Sequence, residues 1–254
     1  MNPSTINYLK QLYIIRVIIN IIENASIHYQ NFKHKFIQFS PNVVKDETIY
    51  YDFETTGLNP YHDKIIEYCF MIEDNTYNKF IESIVDPECK IEKKITDITG
   101  IHPDMFDNQK PIMFHISKIH NFISENINDS IFNVKKSYLI AHNNTVFDKI
   151  FLEKELNYYK KTNIDKDINI NLKNIYYIDS LLLARKLLPE LRSHSLLSLS
   201  KHFKIKQGNH RAYGDVKCLR DIYINLLKII AEQNNLLYTY YLENPELVYK
   251  YISY

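Results

Sequence analysis

Ile49, Tyr51 and Phe53 alternate with Tyr50, Asp52 and Glu54, which is the two-residue period of a β-strand. Two further strands are predicted at Lys64–Glu73 and Tyr77–Val85, parted by the turn signal Asp74-Asn75. Three strands on short turns make an antiparallel meander. The period then lengthens. Ile112, Ile116, Ile119 and Phe122/Ile123 mark one side of a helix over Pro111–Ser124. Ser137–Ala141 reads as a strand, Asn144–Lys160 as a helix and Ile175–Ile178 as a strand. Helices follow at Ser180–Leu188, Ser195–Phe203 and Ala212–Ala231. Strands separated by helices imply parallel pairing through crossovers. The expected fold class is therefore α/β, a mixed β-sheet flanked by helices.

Ahead of this region, Tyr8, Leu12, Ile15, Ile19 and Ile22 recur at helical spacing. They predict an amphipathic helix whose apolar face either covers the main core or docks a protein partner. The chain thus divides into an N-terminal helical extension (1–46), a main domain (47–231) and a C-terminal helical tail (232–254). The lysine- and asparagine-rich stretch Lys160–Lys173 reads as a solvated loop, and no internal repeat is visible.

Composition narrows the partners. Hydrophobic residues at 45% and charged residues at 24% suit an ordinary globular protein. A net charge of +1 means that any nucleic-acid contact must come from a local patch. Between Arg185 and Arg220 there are nine Lys/Arg and two acidic residues, so a basic flank stands against a more acidic remainder. A lysine-decorated helix face in water would have the same composition. Cys69, Cys89 and Cys218 are odd in number and widely spaced, which argues against a disulfide framework or a zinc site and suits an intracellular compartment, cytoplasm or nucleus. The apolar run Leu12–Ile22 is interrupted by Arg16 and Asn20 and falls short of the roughly 20 residues a bilayer needs. With no secretory signal in view, no membrane association is expected.

The candidate chemistry lies in carboxylates. Asp52 and Glu54, two apart on a strand, project from one face about 6.5 Å apart, and the strand ends at Gly57. Such a pair can grip a hard cation. Spacing alone does not decide, because Asp86 and Glu88 have it too. Asp148 falls in the first turn of a helix that Asn144 or Thr145 can cap, where acidic residues are favoured by the helix dipole anyway. His210 stands just ahead of the last long helix, and Asp215 lies inside its opening turns. His102 and Asp107 share that spacing without a long helix behind them. No glycine-rich phosphate loop, G-x-S-x-G or zinc signature points elsewhere.

Order and context join these pieces. Tyr51-Asp52-Phe53-Glu54-Thr55-Thr56-Gly57-Leu58, Ile98-Thr99-Gly100-Ile101, Ala141-His142-Asn143-Asn144-Thr145-Val146-Phe147-Asp148 and His210-Arg211-Ala212-Tyr213-Gly214-Asp215 follow one another along the chain. The set resembles the DEDDh branch of the DnaQ-like 3′→5′ exonuclease superfamily, over roughly residues 47–230. Asp179-Ser180-Leu181-Leu182-Leu183-Ala184-Arg185 also looks like that family, with Asp179 in a structural role. The first 46 residues and the tail after about residue 232 have no counterpart in a minimal domain of this kind.

The resemblance implies a ribonuclease H-like fold and release of nucleoside 5′-monophosphates from the 3′ end of DNA or RNA. It implies two Mg²⁺ or Mn²⁺ ions held by Asp52, Glu54, Asp148 and Asp215, with Asp52 bridging both. Glu54 and Asp215 would hold the ion that activates water, and Asp148 would support the other, directly or through water. His210 would act as general base, a role that a histidine's ordinary pKa suits. Thr55, Thr56 and Leu58 would meet the 3′-terminal nucleotide, Leu58 as an apolar wedge, with Thr99 and Asn143 at further substrate positions. Two other readings stay open: a catalytically weak nucleic-acid-binding module, and a polymerase-associated proofreading subunit.

Overall fold

A computed structural model describes residues 46–73, 78–124, 136–162 and 174–253. The expected N-terminal helix, the turn at Asp74-Asn75 and most of the Lys160–Lys173 loop lie outside these residues.

Alternating apolar positions build β1 (Glu47–Thr55), and the nearly unbroken apolar run Ile65–Glu73 forms β2, followed by β3 (Asn78–Ile84). With β4 (Ser137–Ala141) and β5 (Ile175–Asp179) they make one five-stranded sheet in the order β3-β2-β1-β4-β5. The first three strands pair antiparallel, and β1–β4 and β4–β5 pair parallel. This is the mixed sheet that the pattern predicts. β4 is buried at every position, as a strand covered on both faces must be.

Helices cover both faces. Ile49, Tyr51, Phe53, Phe70 and Leu139 pack on one side against α2 (Ile116–Ser124) and α3 (Asp148–Thr162). Tyr50, Met71, Tyr138 and Ile140 pack on the other against α4 (Ser180–Leu187), α5 (Leu196–Phe203) and α6 (Ala212–Gln233). Val216, Leu219, Ile222, Tyr223, Leu226 and Ile230 carry the buried stripe of α6 at the 3–4-residue spacing of a helix face. Near the C-terminus, α7 (Tyr238–Glu243) and α8 (Pro245–Ser253) add Tyr241 and Val248 to the same core.

Local departures have physical causes. The helix expected over Pro111–Ser124 begins only at Ile116, after a separate 3₁₀ turn at Ile112–Phe114. A short helix unforeseen from the pattern, α1 (Lys93–Thr99), ends at Gly100 with φ +68°, a conformation that glycine adopts at little cost. The helix expected from Asn144 starts as a 3₁₀ turn, Asn144–Val146, and becomes α-helical at Asp148. Asn144 is not its cap. Its buried side chain donates to the Leu139 and Ile178 carbonyls at 3.1 and 2.9 Å and accepts from the Tyr51 hydroxyl. Asp179 serves the turn instead, accepting from the Asn143 and Thr145 N–H groups while also capping α4.

Candidate active site

Asp52 and Glu54 lie on β1, at the end nearest its parallel neighbour's C-terminal edge, facing the side of the sheet that α6 covers. Register breaks between Glu54 and Thr55, so the strand turns away just beyond the second carboxylate. Asp215 comes from the first turn of α6. One carboxylate oxygen each from Asp52, Glu54 and Asp215 lies within 4.8 Å of the others. Residues 161 positions apart in sequence therefore meet in one acidic cluster.

Asp148, the first residue of α3, is buried beside this group, and its Oδ1 accepts from the Phe53 N–H at 3.3 Å. It stands outside the mutual 4.8 Å set. Its negative charge nevertheless acts strongly on Asp52. Burial, then repulsion from Asp148, Glu54 and Asp215, pushes the Asp52 carboxyl well above the usual carboxylate range. Burial and the charges of Asp215, Glu67 and Asp148 push Glu54 up to about 8, against a smaller opposite pull from Arg211. Burial likewise pushes Asp148 up to about 8, although the N–H groups of Phe53 and Asp148 itself favour the anion. Asp215 is raised by burial, offset in part by His210 and by the N–H groups of Asn209 and His210.

The Asp52, Glu54 and Asp215 carboxyl groups, which resist ionising together, form an oxygen-only donor set with Asp148 beside it, and a divalent cation would satisfy it. The donor chemistry fits Mg²⁺ or Mn²⁺, which favour carboxylate oxygen over nitrogen and sulfur.

The loop before α6 is shaped around Asp215. A Cβ on Gly208 would lie 1.7 Å from Asp215 Oδ1, and one on Gly214 would lie 2.0 Å from Asn209 Oδ1, so a side chain at either position would push that oxygen aside. His210 is exposed, with φ +53°, and its charge reaches Asp215. It is not among the three residues whose oxygens lie within 4.8 Å of one another.

The other expected positions fall as follows. Thr55 donates to the Gly57 carbonyl at 2.6 Å, and Thr56 Oγ1 donates to Asp63 Oδ1 while accepting from the Lys64 N–H. Asp63 also accepts from the Asn59 N–H, and a Cβ on Gly57 would meet its carboxylate at 2.5 Å. This turn is pinned from α3 by Lys154, which donates to the Pro60 and Asp63 carbonyls. From it Leu58 projects 84% exposed. Asn143 takes a left-handed conformation at the start of the Asn144 turn. The buried Thr99 hydroxyl donates to the Ile95 carbonyl and accepts from the Ile101 N–H, closing α1 onto the following turn.

Sequence reasoning missed Glu67. It is buried near the start of β2, directly opposite Glu54, and pairs with Arg211. A single charge between Ile66 and Tyr68 in an apolar strand was the available signal, since a buried carboxylate demands a partner. Arg211, which contributes to the basic stretch, is spent on that pairing. Arg220 of the same stretch pairs with Asp221, whereas Lys201, Lys204 and Lys206 are exposed.

Residues 49–223 match the family model RNase_T, described as exonuclease. The chain is 32% identical to a DNA polymerase III PolC-type of Clostridium perfringens over 70% of its own length and 11% of that protein's. It is 28% identical to the PolC-type protein of Bacillus subtilis, over 84% of this chain and 13% of that one. It thus spans about an eighth or less of the length of these relatives. Among solved structures, an exonuclease I superposes with a TM-score of 0.58 at 19% identity, over 82% of this chain and 43% of that one. The exonuclease I of Methylocaldum szegediense gives 0.57 at 19% identity, over 78% and 43%. A zinc-bound Escherichia coli exonuclease I complex with single-stranded DNA gives 0.55 at 18% identity, over 78% and 43%.

Proposed function

The chain belongs to the RNase_T exonuclease family, a DnaQ-like 3′→5′ exonuclease group with a ribonuclease H-like fold, and from that premise we propose that it hydrolyses the terminal phosphodiester bond at the 3′ end of a nucleic acid. The product is a nucleoside 5′-monophosphate. The observation that carries this reading is the meeting of Asp52, Glu54 and Asp215 within 4.8 Å, with Asp148 beside them.

Asp52, Glu54 and Asp215 are the residues suited to hold divalent cations, with Asp148 supporting through Asp52. When bound, two Mg²⁺ or Mn²⁺ ions would neutralise the carboxylates and favour in-line attack of water at phosphorus. The exposed His210 accepts the proton of the attacking water. The new P–O bond forms as the bond to the penultimate 3′ oxygen breaks, leaving a 3′-hydroxyl on the shortened strand. The Thr55–Leu58 turn receives the terminal nucleotide, where the exposed Leu58 offers an apolar surface to its base, and Thr99 and Asn143 are further substrate positions by the family resemblance.

Single-stranded DNA is the substrate favoured by the relatives: the PolC-type proteins are named DNA polymerases, and one solved neighbour holds single-stranded DNA. A DNA polymerase is the partner that the PolC match suggests. No helix among the described residues is long and apolar enough to cross a membrane.

Digestion of matched 5′-labelled DNA and RNA oligonucleotides, with and without Mg²⁺, tests the reading. Stepwise shortening from the 3′ end that requires the metal is expected, faster on DNA. His210→Ala should lower the rate by about 10²–10⁴ and leave the fold intact. Labelled strands that stay full-length with Mg²⁺ present would refute the proposal.

A further inference from the structure

The start of α6 has no cap of its own: Arg211 occupies the cap position and its side chain caps nothing on the helix. The acceptor comes from β2. Glu67 Oε2 accepts from the Ala212 N–H at 2.9 Å, while the Arg211 guanidinium donates from Nε at 3.0 and 3.1 Å and from Nη2 at 2.6 Å. Three donors from two consecutive residues thus converge on one buried carboxylate. Glu67 in turn lies opposite Glu54 in the strand register. The fork therefore links the β1–β2 ladder, which carries two acidic ligands, to the segment that carries His210 and Asp215.

We infer that Glu67 and Arg211 are positioning residues, whose pairing holds His210 and Asp215 in register with Asp52 and Glu54. The inference rests on the exonuclease reading. His210 adopts φ +53°, an unfavourable conformation for a residue with a side chain, so it needs fixing from outside. The fork lies on the very next residue and supplies that constraint. A bidentate guanidinium–carboxylate pair has a defined plane and direction, so it fixes orientation as well as distance. Glu67 is close enough to raise Asp52, Glu54 and Asp215. Its commitment to Arg211 and Ala212 keeps its oxygens out of the acidic cluster.

The test measures kcat and KM for mononucleotide release from 5′-labelled single-stranded DNA with saturating Mg²⁺, in the full chain and in Arg211→Ala, Arg211→Lys and Glu67→Gln. Amide hydrogen exchange over residues 208–216 and the melting temperature are followed in the same proteins. Misplacement of a reacting group by about 1 Å can cost on the order of 10² in rate. Arg211→Ala should accordingly lose about 10–100-fold in kcat with KM within about twofold, together with exchange protection at Ala212. Arg211→Lys cannot span both oxygens and should recover only part of the rate. Glu67→Gln keeps an acceptor for the Ala212 N–H and should fall between. Wild-type kcat in Arg211→Ala would overturn the inference, as would a fall in apparent kcat, at unchanged KM, that merely matches the lost folded protein in the two conservative variants. A wild-type chain that releases no nucleotide would defeat the exonuclease reading instead. Hydrogen exchange would still decide the pairing: unchanged protection in Arg211→Ala would overturn it on its own.

Discussion

Acidic side chains meet the α6-covered face of the sheet in two places, and the fold treats them in opposite ways. Near the start of α6, Asp52, Glu54 and Asp215 crowd together, and burial with mutual repulsion raises each above the usual carboxylate range. Where α8 closes on β4 and β5, Glu246 lies between Lys136 at 2.9 Å and Lys250 at 2.7 Å. Those two amines pull the Glu246 carboxyl below its ordinary range, and Glu246 raises Lys136 in return. Tyr138, Tyr176 and Tyr249 pack beside it, and Lys136 covers the Tyr176 ring. The seam is matched within the chain, so it serves stability. The cluster is mismatched, so its electrostatic balance awaits something from outside the chain. A strained, unmatched site held by a matched framework is the pattern expected of catalysis rather than of structure.

The sharpest break of this contrast is Asp52→Asn. It removes a carboxylate that both burial and repulsion from Asp148, Glu54 and Asp215 disfavour, so activity should fall by on the order of 10³. Above about pH 8, where the cluster ionises, the metal-free melting temperature should rise, because a repelled buried carboxylate is replaced by a neutral amide. Nucleotide release and thermal melting on one preparation measure both. Lower activity with a lower melting temperature would mean that Asp52 belongs with the structural residues.

Next in size is the response to pH. Glu54 and Asp148 hold their protons up to about pH 8 when folded, whereas the unfolded chain releases them near about 4. Between those values the folded state binds more protons, so stability without metal should fall as pH rises from about 4 toward 8. Glu246 has the opposite sign: its depressed pKa contributes stability above the ordinary carboxylate value and loses it as pH falls. Urea midpoints across this range should decline with pH without metal and flatten in Mg²⁺, which binds the folded state. Parallel curves with and without Mg²⁺ would show that the cluster is not its site.

The contrast also explains which parts could be read in advance. β1, α6 and the carboxylates on them follow from local periodicity and short motifs, because a strand face and a helix turn are decided by neighbouring residues. The Glu67–Arg211 fork joins residues 144 positions apart, and nothing in either local segment names the other. Asn144 looked like a helix cap, but its amide is drawn into the interior by the carbonyls of Leu139 and Ile178. Helix α1 escaped because it buries only Thr99, so it has no apolar stripe to read. For Thr99, Asn143 and the Thr55–Leu58 turn, local hydrogen bonds and backbone geometry account for the conformation, and the substrate roles proposed for them come from the family resemblance alone.

Smaller effects test the seam. Val248 is fully buried beneath α8, so Val248→Ala should cost about 1.5–3 kcal/mol and lower the melting temperature by several degrees, with specific activity unchanged. A fall in activity per folded molecule would show that the seam and the cluster are coupled.

Glu246→Gln should have the smallest effect of all. The Lys136 and Glu246 side chains remain 30% and 38% exposed, so water and salt screen most of their attraction despite the 2.9 Å separation. Glutamine keeps the shape and one acceptor, leaving the aromatic packing of Tyr138, Tyr176 and Tyr249 in place. The loss should therefore stay under about 1 kcal/mol and shrink further at high salt. Urea unfolding in low and high salt measures it. A larger, salt-independent loss would mean that the seam depends on its charges as strictly as the acidic cluster does, and the division between matched and mismatched regions would no longer hold.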